Sequence, residues 1–182
     1  MRRLTIFSVI ILLLIPSWHA AAAPAKTPTE VINLINAYRI ENNLPAYTPD
    51  DTLMEIAQDQ ADRQAEIESL THVGAGGTDV SARARAAGYG GGVTPQVNEM
   101  VYGGLLTDPQ IAFEWWKNSE VHNGIMLSLF RHEIGVGQAV SGSGRTYFAV
   151  VVGSIPGVTS AGALSPTRTS TPTRTAIPIE TS

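Results

Sequence analysis

The stretch Glu133-Ile-Gly-Val-Gly-Gln-Ala-Val140, Ser141-Gly-Ser-Gly144, Arg145-Thr-Tyr-Phe-Ala-Val-Val-Val-Gly153 decides the fold. Alternating residues flank a four-residue turn of small amino acids, the pattern of a β-hairpin. In the first strand Ile134, Val136 and Val140 share one face, and Gly135, Gly137 and Ala139 share the other. In the second strand both faces are apolar, with Phe148, Val150 and Val152 on one and Tyr147, Ala149 and Val151 on the other. A strand apolar on both sides belongs to a sheet covered on both faces.

The cover comes from earlier in the chain. Thr27-Pro28-Thr29-Glu30 is a capping box with proline at the first helical position, and Val31, Leu34, Ile35 and Tyr38 follow at helical spacing. Thr48-Pro49-Asp50-Asp51 repeats the start signal. A second helix then runs to about Ser69 with Leu53, Ile56, Ala57 and Ala61 inward. A short helix over Val80 to Ala87 stops at Gly88, followed by a glycine-rich loop. Asp108-Pro109 opens a fourth helix whose apolar side is Ile111, Ala112, Trp115 and Trp116. Asn98 to Tyr102 supplies another strand. The fold class is therefore α+β, with helices on either side of a small antiparallel sheet.

The two ends read differently. Arg2-Arg3, an apolar run from Leu4 to Ile15 and the small residues Ala20 to Ala23 follow the order of a secretory signal peptide cleaved after Ala22. This core spans twelve residues, short of the ~20 that a spanning helix needs. Residues 1–22 are thus read as a signal peptide, 23–27 as a short linker and 28–155 as one domain. Residues 156–182 are a Ser/Thr/Pro-rich tail: 15 of those 27 are Ser, Thr or Pro, too few large apolar groups to offset ordering entropy. Within it Pro166-Thr-Arg-Thr169 and Pro172-Thr-Arg-Thr175 form an imperfect repeat. The expected location is outside the cell or at its envelope, with no membrane span left after cleavage.

Charge and cysteine content narrow the function classes. The net charge of −4 becomes −6 when residues 1–22 leave, because they carry two arginines and no acid. With no Lys/Arg cluster there is no electrostatic footprint for nucleic acid or anionic lipid. The absence of cysteine excludes disulfides, thiol catalysis and thiolate metal sites. No Gly-x-Ser-x-Gly elbow, phosphate loop or dinucleotide fingerprint is present. His132-Glu133 begins like a zinc-protease helix but lacks the second histidine and lies in a strand. Glu99 stands inside the apolar stretch Val97 to Leu106, where a carboxylate must be paired or exposed.

Several blocks together resemble the CAP family, the cysteine-rich secretory, antigen 5 and pathogenesis-related (SCP-like) group. They are Asn36-Ala-Tyr-Arg39, Leu44-Pro45, Thr71-His72, Arg83-Ala-Arg-Ala-Ala-Gly-Tyr89, Glu99, Trp116-Lys-Asn-Ser119-Glu-Val-His122-Asn123, Ile134-Gly-Val-Gly137 and Tyr147 to Gly153. The resemblance implies a three-layer α/β/α sandwich and a cleft lined by two histidines and two acids. His72, Glu99 and His122 match three of the four. Where many eukaryotic relatives carry a glutamate, eleven residues past His72, stands Arg83; Asp79 is the nearby acid that could substitute. The Glu-Asn of the family reads Glu99-Met100 here.

Two imidazoles can share a divalent ion such as zinc, but they fall short of the three protein ligands usual at catalytic zinc. A metal on His72 and His122 would be weak and exchangeable. The leading expectation is an exported binding module without turnover, for a lipid or other small apolar ligand or an envelope component. The Gly/Ala-rich strand faces and the Trp115/Trp116 helix support it. The alternatives are a metal-dependent, peptidase-like hydrolase using His72, Glu99 and His122, and a structural or adhesive surface module with the tail as spacer.

Overall fold

The computed structural model describes residues 28–158. The signal peptide, the 23–27 linker and residues 159–182 of the expected tail lie outside the described residues. The elements run α1 (Pro28–Glu41), β1 (Thr48–Pro49), α2 (Asp51–Ile67), a 3-10 turn (Ala75–Gly77), α3 (Val80–Ala86), β2 (Gln96–Gly104), α4 (Pro109–Lys117), α5 (Glu120–Met126), β3 (Glu133–Val140) and β4 (Thr146–Ser154). Among the described residues no helix is long and apolar enough to cross a membrane.

Strand order is β1-β3-β4-β2. The three long strands are antiparallel, with Val136 opposite Val150 and Glu99 opposite Val151. The sheet is not purely antiparallel, because β1 joins its edge in parallel through Thr48↔Glu133 and Pro49↔Ile134. This also corrects the second helix start. Thr48 and Pro49 are strand, and Asp50 is the cap, its Oδ1 accepting from Leu53 N at 2.9 Å. Proline has no N–H to give a ladder, and the register needs none there: Thr48 N donates to His132 O and Asp50 N to Ile134 O, on either side of Pro49.

Both sheet faces are covered, as the doubly apolar β4 requires. Ile134, Val136, Phe148, Val150 and Val152 pack with Val31, Ile35, Ala112, Phe113, Trp116 and Met126 from α1, α4 and α5. On the opposite face Val151 meets Leu53, Ile56, Ala57 and Ala84, and Ala149 meets Ala61. Helix α2 sits directly on the backbone of β3. A Cβ at Gly135 would lie 2.0 Å from Leu53 C, and one at Gly137 would lie 2.3 Å from Ala57 O. Beyond the two residues of β1, side chains close the free edge of β3. Gln58 donates to Gln138 O at 2.9 Å and accepts from Gln138 N at 3.1 Å, blunting an edge that would otherwise pair with another chain.

On α1 the inner face includes a charge. Arg39 is 1% exposed, while Leu34 and Tyr38 are only partly buried. Its guanidinium donates to Pro45 O (2.8 Å), Met126 O (2.7 Å) and Ser128 O (3.0 Å) and lies 3.6 Å from the Tyr47 ring centroid. Asn36 brackets Tyr47 by accepting from its N–H at 2.8 Å and donating to its carbonyl at 3.0 Å. The family-like Asn36…Arg39 block is thus a clamp joining α1, the 42–47 segment and the end of α5, not part of the cleft.

The apolar side expected of α4 divides. Trp116 is fully buried, and its Nε1 donates to Val101 O at 3.3 Å. Ile111 and Trp115 are instead 44% and 47% exposed, and Phe113 takes their place in the core. The helix turns its 112/113/116 edge to the sheet, which leaves 111 and 115 (one turn apart) at the margin.

Candidate functional site

The cleft residues come from four places. His72 follows α2, Arg83 lies on α3, Glu99 is in β2, and His122 is on α5. Helix α5, which carries His122, has no counterpart among the helices expected from the sequence. Seven residues containing a glycine are too short to show a period.

Glu99 is the centre. Its side chain is 2% exposed, and both carboxylate oxygens are occupied. His72 Nδ1 lies 2.9 Å from Oε2, and Arg83 Nη2 donates to Oε1. Arg83 is itself 10% exposed and is held by further bonds from Nη1 to His72 O (3.3 Å) and Thr78 O (3.2 Å). Burial pushes the Glu99 carboxyl above its ordinary value, against the opposing pull of Arg83 and His72. The sequence rule that a carboxylate here must be paired is met by an arginine.

Asp79 does not take the fourth place. It is exposed and caps α3, its Oδ1 accepting from Ala82 N at 2.7 Å, with no described contact to Glu99 or either histidine. The position where the resemblance implied an acid thus holds a cation that pairs with Glu99. The signal for this in the sequence was Arg83 itself, at the spacing of the missing glutamate.

His122 Nδ1 lies 2.7 Å from Ser119 Oγ. Ser119 occupies the N-cap position of α5, yet its hydroxyl makes no cap bond and serves the imidazole instead. The ring is 5.0 Å from that of Trp115, which in turn lies 5.3 Å from Tyr102. Half-exposed Trp115 therefore forms a shelf beside the histidine. Burial holds His122 below its ordinary value, and charge on His72 acts in the same direction. The His72 imidazole is therefore near enough to oppose protonation of His122.

A pH dependence follows from that direction. The unfolded chain takes up a proton at His122 before the native one, so the histidine's contribution is intact above about pH 6.5 and is lost as pH falls below it. Between pH 7 and 5 the unfolding temperature of the native chain should fall more steeply than that of His122→Gln. Calorimetric scans with parallel slopes would contradict this.

The donor set does not suit a divalent ion. Among the described residues no three His, Cys, Asp or Glu side chains gather as ligands. The buried acid of the cleft already has a guanidinium partner, so a cation placed there would meet Arg83. His72 and His122 bind through neutral nitrogens and bring no compensating charge.

The second described feature of this region is a cavity of about 700 Å³. It lies between α2 and the 74–87 segment, not over the histidines, and shares only Arg83 with the Glu99 cluster. Glu133 of the His132-Glu133 pair accepts a hydrogen bond from the Tyr89 hydroxyl, a packing role consistent with its strand position.

Comparison with known proteins agrees with this architecture. The chain resembles an outer surface protein from Borrelia burgdorferi, with a TM-score of 0.63 and 21% identity over 70% of this chain and 91% of that one. It also resembles an extracellular SCP-domain protein from Bacillus anthracis, with a TM-score of 0.59 and 18% identity over 68% of this chain, but it spans only 39% of that one. At such identities the likeness shows the fold alone. No curated protein sequence matches. Residues 32–152 match the profile of the cysteine-rich secretory protein family, CAP, from within α1 to within β4. The chain is a member of the CAP family.

Proposed function

We propose that this chain is an exported CAP-domain binding module whose cleft takes a ligand without metal-assisted turnover. The observation that carries the reading is the closed state of Glu99, with one oxygen on His72 and the other on Arg83. A carboxylate so engaged has its charge already balanced by the guanidinium, which makes it a weaker base and a poorer zinc ligand than a free one. What is left for a ligand is the rim: His72 at 58% side-chain exposure, the partly buried His122, and the exposed flank of Trp115. A small ligand with an apolar face fits such a rim, because an aromatic wall supplies contact area and the ring nitrogens supply orientation.

Export is supported by the charged, apolar, small-residue order of residues 1–22. Native mass spectrometry of the full chain tests the reading, with zinc and palmitate as separate probes. The expected result is saturable palmitate binding that survives chelation and is weakened at least several-fold by Trp115→Ala. Zinc uptake should match that of a His72→Ala/His122→Ala double variant. Stoichiometric zinc that vanishes in the double variant, together with a hydrolytic activity, would establish the metal-dependent hydrolase instead. No palmitate binding would remove the apolar-ligand assignment.

A further inference from the structure

The cavity between α2 and the 74–87 segment gathers polar atoms that the fold leaves unused. Among the described residues five buried side-chain nitrogens and oxygens have no hydrogen-bond partner. Three of them, Gln60 Oε1, Arg63 Nε and Arg83 Nε, belong to residues that line this one cavity. Gln60 is 1% exposed and held in place, its Nε2 donating to Thr71 O at 2.6 Å. The Arg83 side chain is 10% exposed. Both its terminal nitrogens are engaged, Nη2 with Glu99 and Nη1 with His72 O and Thr78 O. Arg63 is tied through Nη1 to Glu66 at 3.0 Å. Each side chain is fixed at one atom while another, also buried, goes without a partner, a cost that folds relieve with water or a ligand.

Helix α2 builds its side of the cavity from two adjacent stripes. Ile56, Gln60 and Arg63 recur at i, i+4 and i+7 and are buried or half-buried. Glu55, Asp59, Asp62 and Glu66, one residue back, run exposed beside them. Of these four acids only Glu66 has an ion-pair partner among the described residues. Ala82 and Ala86, one turn apart on α3, add a small apolar wall. At about 700 Å³ the space has the size of a small-ligand pocket, not that of one bridging water.

The chemistry of the lining selects the occupant. The two Nε–H groups require acceptor oxygens, and Gln60 Oε1 requires a donor. The acidic stripe attracts a cation and repels a carboxylate, so the acceptors are neutral carbonyls. A peptide backbone carries a carbonyl and an N–H at each residue, and a free N-terminus or a lysine adds the charge. We infer that this cavity is a second binding site, separate from the histidine cleft, and that it takes a short cationic peptide. Peptide carbonyls accept from Arg63 and Arg83, and a peptide N–H donates to Gln60 Oε1. The ammonium groups lie along Glu55 and Asp59, and small side chains rest on Ala82 and Ala86.

Calorimetric titration of the full chain with the amidated tripeptide Ala-Lys-Ala tests this, and saturable binding is expected. Spermidine carries more charge but no carbonyl, so it should bind at least about tenfold more weakly. N-acetyl-Ala-Glu-Ala should not bind. Glu55→Gln/Asp59→Asn and Ala86→Leu, all at exposed lining positions, should each weaken the tripeptide several-fold in chains whose unfolding temperature matches native. Trp115→Ala, which alters only the cleft rim, should leave tripeptide binding unchanged, so the two sites are scored separately. No saturable uptake of the tripeptide would overturn the inference and assign the unpartnered atoms to water. Spermidine binding as tightly as the tripeptide would also overturn it, by reducing the site to an acidic surface. So would tripeptide binding that Trp115→Ala abolishes and the lining variants leave intact.

Discussion

Gly135→Ala should cost at least about 3 kcal/mol of stability, and the Gly135→Ala/Gly137→Ala double variant should fail to fold. Overpacking a core typically costs ~1–3 kcal/mol when side chains can shift. Here the new methyl would stand 2.0 Å from Leu53 C and 2.2 Å from Leu53 O, so the backbone of α2 itself must move. At Gly137 the obstacles are Ala57 O at 2.3 Å and Ala57 C at 2.4 Å. Since α2 also packs on β4 through Leu53, Ala57 and Val151, retreat on one side opens voids on the other. Urea unfolding measures the loss. Gly142→Ala in the hairpin turn is the control, because a Cβ there meets nothing within 4 Å. A Gly135→Ala chain within ~1 kcal/mol of native would mean that the helix is not seated on β3 as described.

The second large effect belongs to the cleft. Arg83→Met should destabilise the chain by about 3–5 kcal/mol near neutral pH, the usual cost of leaving one partner of a buried ion pair uncompensated. The sign of its pH dependence is specific. Removing the guanidinium takes away the largest influence opposing burial, so the Glu99 carboxyl rises further above its unfolded value. A group raised in the folded state is most favourable below its unfolded value and is penalised as pH rises through the folded one. The deficit of Arg83→Met relative to native should therefore shrink as pH falls from 7 toward 5. Arg83→Met/Glu99→Gln should recover much of it at pH 7, because no buried charge remains. Denaturation midpoints for the three chains at two pH values decide this; a pH-independent deficit would show that Arg83 matters for packing alone.

Much of the architecture was legible before any coordinates. Residue alternation in 133–153 identified both strands, their two faces and the need for cover on each side. Leu53, Ile56, Ala57 and Ala61 were found buried on α2 as their spacing required. The gaps have particular causes. Thr48-Pro49 carried a helix-start pattern, but its backbone groups find partners on β3, 85 residues away in the register Thr48↔Glu133. Ile111 and Trp115 looked like core, yet which edge of α4 faces the sheet depends on where α1 and α5 lie. Helix α5, seven residues long, has its last buried anchor, Met126, under the Arg39 clamp and offers no period of its own.

The same division runs through the site. That His72, Glu99 and His122 deserved notice followed from residue type, an acid in an apolar strand and the family-like blocks around them. Sequence by itself also determined that no thiol chemistry or disulfide could operate, since the chain has no cysteine. Only the tertiary structure decided what the acid is doing. Glu99 is 27 residues from His72 and 16 from Arg83, and no local periodicity relates a loop, a helix and a strand that meet across two layers. A buried charge obliges a partner, but the choice among Arg83, a metal or a second acid is settled by which side chain the packing of α3 on β2 delivers.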